Sequence, residues 1–153
     1  MRGASKARVT DVLLAFQGAF EGRGWHGPSL LGLLRGLSPV RARKRPRGAH
    51  HSIQELVEHV AYWEERAILQ FAPGGHSPGA DWVLPRRSFP ASLRHLKAVH
   101  KDLLRAVGAL EDGDLERIVR TGDGPMRLGK VLHGVAAHAA YHAGQIGLLK
   151  TLV

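Results

Sequence analysis

The chain of 153 residues has the length of one ordinary domain, and its hydrophobic fraction of 44% is sufficient for a buried core. It contains no cysteine, which excludes disulfides, thiolate metal ligands and a cysteine nucleophile; any metal site therefore has to use His, Asp or Glu. The 22 Lys and Arg residues outnumber the 13 Asp and Glu residues, and the resulting net charge of +9 would suit an anionic partner.

The densest basic cluster is RARKRPR, residues 41–47, which holds five cations in seven residues. Clusters of this kind contribute to nonspecific nucleic-acid binding. No aromatic residue interrupts the run, however, so it offers no platform for base stacking. We interpret it as a solvated basic loop, and nucleic acid is not the expected partner.

No stretch of the sequence approaches the roughly 18 consecutive apolar residues that a membrane-spanning helix needs. The apolar part of the N-terminal segment is interrupted by Asp11, Gln17 and Glu21, which favours an amphipathic first helix over a secretion signal. We therefore expect one domain, residues 1–153, in the cytoplasm and without a membrane partner.

Helical periodicity dominates the chain, and no run shows the alternation of a half-buried strand. The first long helix is predicted at about Lys6–Glu21. A short helix follows, with Pro28 in its first turn and Pro39 at its end. The basic loop then leads to the second long helix.

Three further long helices are predicted after the basic loop. Ser52 and Glu55 form a capping box that starts the second long helix, which ends at Pro73-Gly74-Gly75. A connection rich in Gly and Pro covers residues 73–90, and a turn rich in Gly and Asp covers residues 112–125. Long helices lie on either side of this turn, at about Pro90–Leu110 and Leu128–Leu152.

Four amphipathic helices in one small domain predict an all-α fold, because each apolar stripe has to be covered by the others. The fold class is a four-helix bundle with one short extra helix. The long connection after the second long helix permits a crossover in place of simple up-down order.

The last helix carries two histidines on its apolar stripe. His138 and His142 lie one turn apart on one face, close enough to share a metal ion. The spacing alone is weak evidence, and core histidines bonded to other side chains are the alternative. Both histidines belong to a seam with steps of three and four residues, which predicts a buried face. Because buried imidazoles need partners, this position favours a site inside the bundle. The seam consists of Leu128, Val131, Val135, His138, His142, Gln145 and Leu149.

A third ligand is expected from a facing helix, and His59 is the candidate. It lies three residues after Leu56 and four before Trp63, at the edge of the apolar stripe of the second long helix. The alternative is a histidine that borders solvent and binds nothing. Three neutral imidazoles with an open coordination position would form a catalytic-type centre for zinc, nickel, copper or iron.

Other polar residues have less defined roles. We expect His100 in the core or in support of the site, and His26 either as a helix cap or at the site. Gln145 is expected to bond a ligand or to cap the polar patch. Tyr62 and Tyr141 are expected in the core, with a hydroxyl near the site as the alternative. Glu55, Glu58 and Glu64 are candidates for a general base, and His50, His51, His76, His95 and His133 are expected at the surface or in turns.

Several segments together resemble one family over nearly the whole chain. The most specific are HSIQELVEHVAYWE and HAAYHAGQI, preceded by WHGPSLLGLLRGL and LLRAVGALEDGDL. They are similar to the DinB-like superfamily, which includes metal-dependent enzymes of the YfiT type and relatives that act on bacterial low-molecular-weight thiols. Gln54 departs from the family pattern, which often has Trp at this position, and the segment before His50 is unusually basic.

The resemblance implies a four-helix bundle with a crossover and a divalent metal ion, nickel or zinc. Its three histidine ligands correspond to His59, His138 and His142. The implied function is a metal-dependent thiol S-transferase or a hydrolase, with a low-molecular-weight thiol and an electrophilic small molecule as partners and a homodimer as the assembly. The alternative is a non-enzymatic module, either stabilised by its metal or binding nucleic acid in a stress response.

Overall fold

The computed structural model describes residues 6–72 and 79–153. Their elements are the helices α1 (Ala7–Phe20), α2 (Leu30–Leu34), α3 (Pro39–Arg43), α4 (Ile53–Leu69) and α5 (Phe89–Gly108), a 3₁₀ turn (Asp112–Glu116), the strands β1 (Ile118–Thr121) and β2 (Gly124–Arg127), and helix α6 (Leu128–Leu152). The four long helices are confirmed to within a few residues where their ends are described. The break predicted at Pro73-Gly74-Gly75 lies outside the described residues.

Local capping explains where the helices begin, and it corrects two predictions about the short helix. Ser52 and Glu55 form the reciprocal capping box that starts α4. Pro39 does not close a short helix; it occupies the first turn of α3, whose N-cap is Ser38. Ser29 caps α2, so Pro28 precedes that helix and does not lie in its first turn.

The segment predicted as a turn contains a small β-hairpin. Strands β1 and β2 pair antiparallel, with Thr121 opposite Gly124, and Gly124 has a φ of +101°, which favours glycine. The strands are only four residues long and β2 contains a proline, so the sequence shows little alternation. Val119 of β1 packs into the core, and this tertiary contact holds the hairpin in place.

The long helices form an up-down-down-up bundle. α1 packs against α5 and α6, and α4 packs against the same two helices. One core cluster contains the beginnings of α1 and α6 and the ends of α4 and α5, represented by Val9, Leu128, Ala67 and Val107. The other contains the opposite ends, represented by Phe20, Ile146, Ile53 and Phe89. α4 and α5 are therefore parallel, as the predicted crossover between them requires.

The buried face of α6 differs from the predicted seam. Its centre consists of small and aliphatic residues, including Leu132, Ala136, Ala139, Ala143 and Ile146. Of the predicted seam, Val131, His138, Gln145 and Leu149 are only half-buried. His138 thus lies at the edge of this face, beside α4, whereas His142 is buried as the seam predicts.

Two arginines of the basic cluster are structural, which corrects its interpretation as a solvated loop. Arg41 donates hydrogen bonds to the carbonyl oxygens of Val153 and Lys150 at the end of α6. Arg45 forms a two-point ion pair with the buried carboxylate of Glu55. Part of this cluster therefore holds elements together.

Among the described residues, the helices are too short or too polar to cross a lipid bilayer.

Candidate metal centre

The structure brings the three predicted histidines to one point. His59 projects from α4, and His138 and His142 project from the neighbouring α6. The Nε2 atom of His138 lies 3.1 Å from Nε2 of His59 and 2.9 Å from Nε2 of His142. One nitrogen from each ring lies within 4.8 Å of the other two. We call these three residues the histidine triad.

These distances fit the ligand spacing of a first-row divalent ion. With metal–nitrogen bonds of about 2.1 Å, two neighbouring nitrogens lie about 3.0 Å apart in octahedral geometry and about 3.4 Å apart in tetrahedral geometry. In the part of the chain that the structure describes, no fourth His, Asp or Glu joins this group. A bound ion would therefore retain coordination positions for ligands from outside the protein.

Hydrogen bonds to the outer nitrogens fix the orientation of two of the rings. Nδ1 of His59 lies 2.6 Å from Oδ1 of Asp81, and Nδ1 of His142 lies 2.6 Å from Oε1 of Gln145. The Gln145 amide nitrogen donates to the Tyr141 hydroxyl, which leaves its oxygen to accept. Both Nδ1 atoms therefore donate, and the Nε2 atoms of His59 and His142 carry lone pairs.

This pattern is complementary to a cation. Two Nε2 lone pairs point at Nε2 of His138, which has at most one hydrogen to share between them. Nδ1 of His138 is buried and has no hydrogen-bond partner among the described residues. A divalent ion would satisfy all three Nε2 atoms, so the donor set fits the metal that the sequence predicts.

Burial keeps the triad neutral near pH 7. It lowers the pKa of His138 to about 4, and the charges that His142 and His59 would carry add to the effect. Burial also lowers the pKa of His59, although the Asp81 carboxylate opposes this shift. Burial also lowers the pKa of His142, although the hydrogen bond that Nδ1 donates to Gln145 opposes this shift. Neutral imidazole is the form that binds a metal ion.

Aromatic rings surround the triad. The indole of Trp82 stacks on the imidazoles of His59 and His51, with 3.7 Å between ring centroids in each pair. Trp63 lies edge-on to His138, and Tyr141 lies edge-on to His142. The side chains of Trp63, Trp82 and Tyr141 are exposed over 39%, 40% and 64% of their surface, so the rings line an approach from solvent.

The site residues that come from the crossover connection were not predicted. Asp81 and Trp82 lie in a segment rich in Gly and Pro that shows no periodicity, and only the fold brings them beside His59. His51, predicted as a surface or turn residue, lies in a bend and is half-buried against Trp82. The Asp-Trp pair, as the one acidic-aromatic step in that connection, was the available signal.

The three candidate bases on α4 have other partners. Glu55 caps its own helix and binds Arg45. Glu58 accepts hydrogen bonds from Arg87 and Ser92.

Glu64 bonds Nδ1 of His100 at 2.9 Å in the core, where the His100 ring stacks on Phe20. His100 is thus a core residue, as expected.

The remaining candidates lie away from the triad or beside it. His26 is exposed, and it caps no helix, since Ser29 caps α2. Tyr141 is exposed and not in the core, and its hydroxyl bonds Gln145. Tyr62 is half-buried against Trp63. His133 is exposed, as predicted, and His76 lies outside the described residues.

A cavity of about 450 Å³ lies between α4 and the crossover connection. Its lining includes His59, Asp81 and Trp82 but neither His138 nor His142. It therefore reaches the triad from the Nδ1 side of His59, behind the carboxylate, and not from the side of the converging Nε2 atoms.

The fold and the site together define a class of protein: a helical bundle whose two neighbouring helices supply three histidines to one candidate metal centre. The family model of the DinB superfamily matches residues 25–146, a segment that contains the whole triad. The chain therefore belongs to the DinB superfamily. No curated protein and no solved structure matches it significantly.

Proposed function

We propose that this protein is a divalent-metal-dependent enzyme in which His59, His138 and His142 bind the ion. The observation that carries the proposal is the convergence of three Nε2 atoms, two of them held as lone-pair donors by Asp81 and Gln145. When bound, such an ion acts as a Lewis acid that makes a thiol or a water nucleophilic near neutral pH. Nickel and zinc are the proposed metals, since both accept imidazole ligands.

The proposed reaction is the transfer of a low-molecular-weight thiol to an electrophilic small molecule, with hydrolysis of the electrophile as the second possibility. Thiol transfer is preferred because of the family resemblance. The net charge of +9 supports an anionic thiol. The exposed rings of Trp63, Trp82 and Tyr141 supply apolar contact surface beside the triad. A homodimer in the cytoplasm belongs to the same proposal.

The nucleic-acid alternative receives little support from the basic cluster. Arg41 and Arg45 are engaged with α6 and with Glu55, and they are not available to bind phosphates without breaking these contacts. Three cations of the cluster remain without ion pairs among the described residues, namely Arg43, Lys44 and Arg47.

Metal content followed by a thiol-consumption screen tests the proposal. Purified protein should contain close to one transition-metal ion per chain by elemental analysis, and it should consume thiol in the presence of a suitable electrophile. His138→Ala removes the central nitrogen of the triad and should lose both the metal and the activity. Because burial lowers the pKa of all three histidines below their ordinary value of 6.5, metal uptake should change little between pH 7 and pH 8.

His133→Ala is the matched control, since His133 is an exposed histidine on the same helix. It should retain the metal and the activity. A protein that never contains metal, or a His138→Ala variant that retains it, contradicts the proposal. Full metal occupancy without thiol consumption or hydrolysis would support the metal-stabilised, non-enzymatic module.

A further inference from the structure

Asp81 contacts three different donors at the metal centre. Its Oδ1 atom accepts hydrogen bonds from Nδ1 of His59 at 2.6 Å and from the backbone amide of Trp82 at 2.8 Å. Its Oδ2 atom accepts one from the indole nitrogen of Trp63 at 3.2 Å. Both carboxylate oxygens are thus occupied, and the side chain has one orientation that satisfies all three donors.

The backbone at this point adopts an unusual conformation. Trp82 has a φ of +54°, in the left-handed region that residues other than glycine rarely adopt. Two contacts accompany this conformation: the backbone N–H of Trp82 donates to the Asp81 carboxylate, and the indole stacks on His59 and His51. A locally unfavourable backbone held by several contacts is characteristic of a functional segment.

The crossover connection is also tied down a few residues later. The carbonyl oxygen of Arg87 accepts a hydrogen bond from the buried Gln54 amide, and its guanidinium pairs with Glu58. The connection is therefore attached to α4 at two points. One is the triad, through Asp81, and the other is the first turns of α4.

We propose that Asp81 is a positioning residue of the metal centre: it orients the His59 ring and holds its hydrogen on Nδ1, so that Nε2 faces His138 and His142. This inference rests on the proposed metal-binding function. It assigns to the crossover connection a role that the helices alone do not fulfil, because His59 has no other hydrogen-bond partner at Nδ1 among the described residues. Carboxylates that support a metal-bound histidine in this way commonly contribute about 10- to 100-fold to metal affinity. We expect a contribution of this order from Asp81.

The first test measures zinc affinity by competition with a chromophoric chelator. Asp81→Ala should bind zinc about 10- to 100-fold more weakly than the wild type, still at one ion per chain. Asp81→Asn keeps an acceptor for Nδ1 but loses the negative charge, and we expect an intermediate affinity. Asp123→Asn, in the turn of the hairpin, changes the net charge equally and should bind like the wild type.

The second test reads the tautomers directly in metal-free protein by long-range ¹H–¹⁵N NMR of the histidine rings. His59 should be protonated on Nδ1 in the wild type and should become a mixture of both tautomers in Asp81→Ala, with His142 unchanged. Gln145→Ala should give the converse pattern, with His142 affected and His59 unchanged. A merely structural effect of the substitution would not produce this residue-specific exchange.

Wild-type zinc affinity and an unchanged His59 tautomer in Asp81→Ala would overturn the inference. Far-UV circular dichroism shows whether Asp81→Ala is folded, and the conservative variant Asp81→Asn keeps the test valid if it is not. A wild-type protein that binds no transition metal overturns the proposed function together with the affinity argument. The two failures are distinguishable, because the first occurs in a protein whose wild type binds zinc normally.

Discussion

Each ring of the triad has two nitrogens with different tasks. The Nε2 atoms meet at one point, and the Nδ1 atoms of His59 and His142 hold the rings in orientation through Asp81 and Gln145. His138 lacks such support, since its Nδ1 atom is buried without a partner in the described part of the chain. The Nε2 atom of His138 lies close to the Nε2 atoms of both His59 and His142. Replacing His138 therefore removes the nitrogen that connects the other two.

A second buried pair shows how strongly position alters a side chain. Glu64 is 1% exposed and bonds His100 within the core, where burial raises the pKa of the carboxyl, against the opposing effect of His100. Oε2 of Glu64 and Nε2 of His100 have no hydrogen-bond partner among the described residues. The pair is thus held by a single hydrogen bond.

The pKa of Glu64 leads to a prediction about pH. A carboxyl whose pKa is raised by folding stays protonated in the native state while the unfolded chain, with an ordinary pKa near 4.5, loses its proton. The wild type therefore loses free energy of unfolding as the pH rises from 4.5 through the raised pKa. Glu64→Gln keeps the acceptor for His100 and cannot ionise, so it should gain stability relative to the wild type between pH 5 and pH 8.

Urea unfolding of both proteins at the two pH values measures this difference, and titrating groups that do not contact Glu64 cancel in the comparison. A difference that does not change with pH, or that moves in favour of the wild type, would mean that Glu64 is ionised and paired with a protonated His100.

The helices and their connections have distinct origins. The capping box at Ser52 starts α4 from local sequence alone. The end of α6 depends on remote segments: Arg41 of α3 donates to its last carbonyls, and Lys150 of α6 donates to the carbonyl oxygens of Leu33 and Arg35 beside α2. The short helices α2 and α3 thus clamp the C-terminal end of α6, the part of this helix that follows His142.

This clamp predicts a difference between two neighbouring arginines. Arg41→Gln removes two charge-assisted hydrogen bonds to backbone oxygens and should lower the free energy of unfolding by about 1–2 kcal/mol. Arg43→Gln makes the same charge change at an exposed position and should stay within about 0.5 kcal/mol of the wild type. Urea denaturation at one ionic strength compares the two variants. Equal effects would show that Arg41 contributes only its charge.

At the scale of the whole molecule, the triad joins two antiparallel helices, and Asp81 adds the crossover connection to the same point. A ligand that binds only the native state stabilises it by mass action. The proposed metal ion is therefore expected to stabilise the bundle as well as to complete the candidate site.

A free ion concentration 100-fold above the dissociation constant should add about 2.7 kcal/mol. For a chain of this size the melting temperature should rise by roughly 5–10 °C. Thermal unfolding with excess zinc or nickel, and with a chelator, measures this shift. His138→Ala should abolish the shift and the exposed His133→Ala should retain it; a shift of the same size in both variants would place the stabilising ion elsewhere.

Much of this protein could be predicted from residue patterns. The 3.6-residue periodicity and the caps predicted the four long helices, because helix formation and termination depend on near neighbours. The positions of His59, His138 and His142 on apolar stripes, together with the family resemblance, predicted which histidines meet. The lack of cysteine had already limited any metal site to such ligands.

Tertiary structure decided the rest. Helical spacing placed His138 and His142 in the centre of the buried face; His142 is buried there, whereas His138 is only half-buried beside the row formed by Ala136, Ala139 and Ala143. The hairpin depends on the contact of Val119 with the core. The direction of each helix in the bundle depends on the connections between the helices. Asp81 and Trp82 have no periodic signal, because their positions follow from where the crossover connection passes α4. The amino-acid sequence by itself therefore determined the residue types of the candidate metal site and their helices, and only the fold determined the carboxylate and the aromatic rings that surround them.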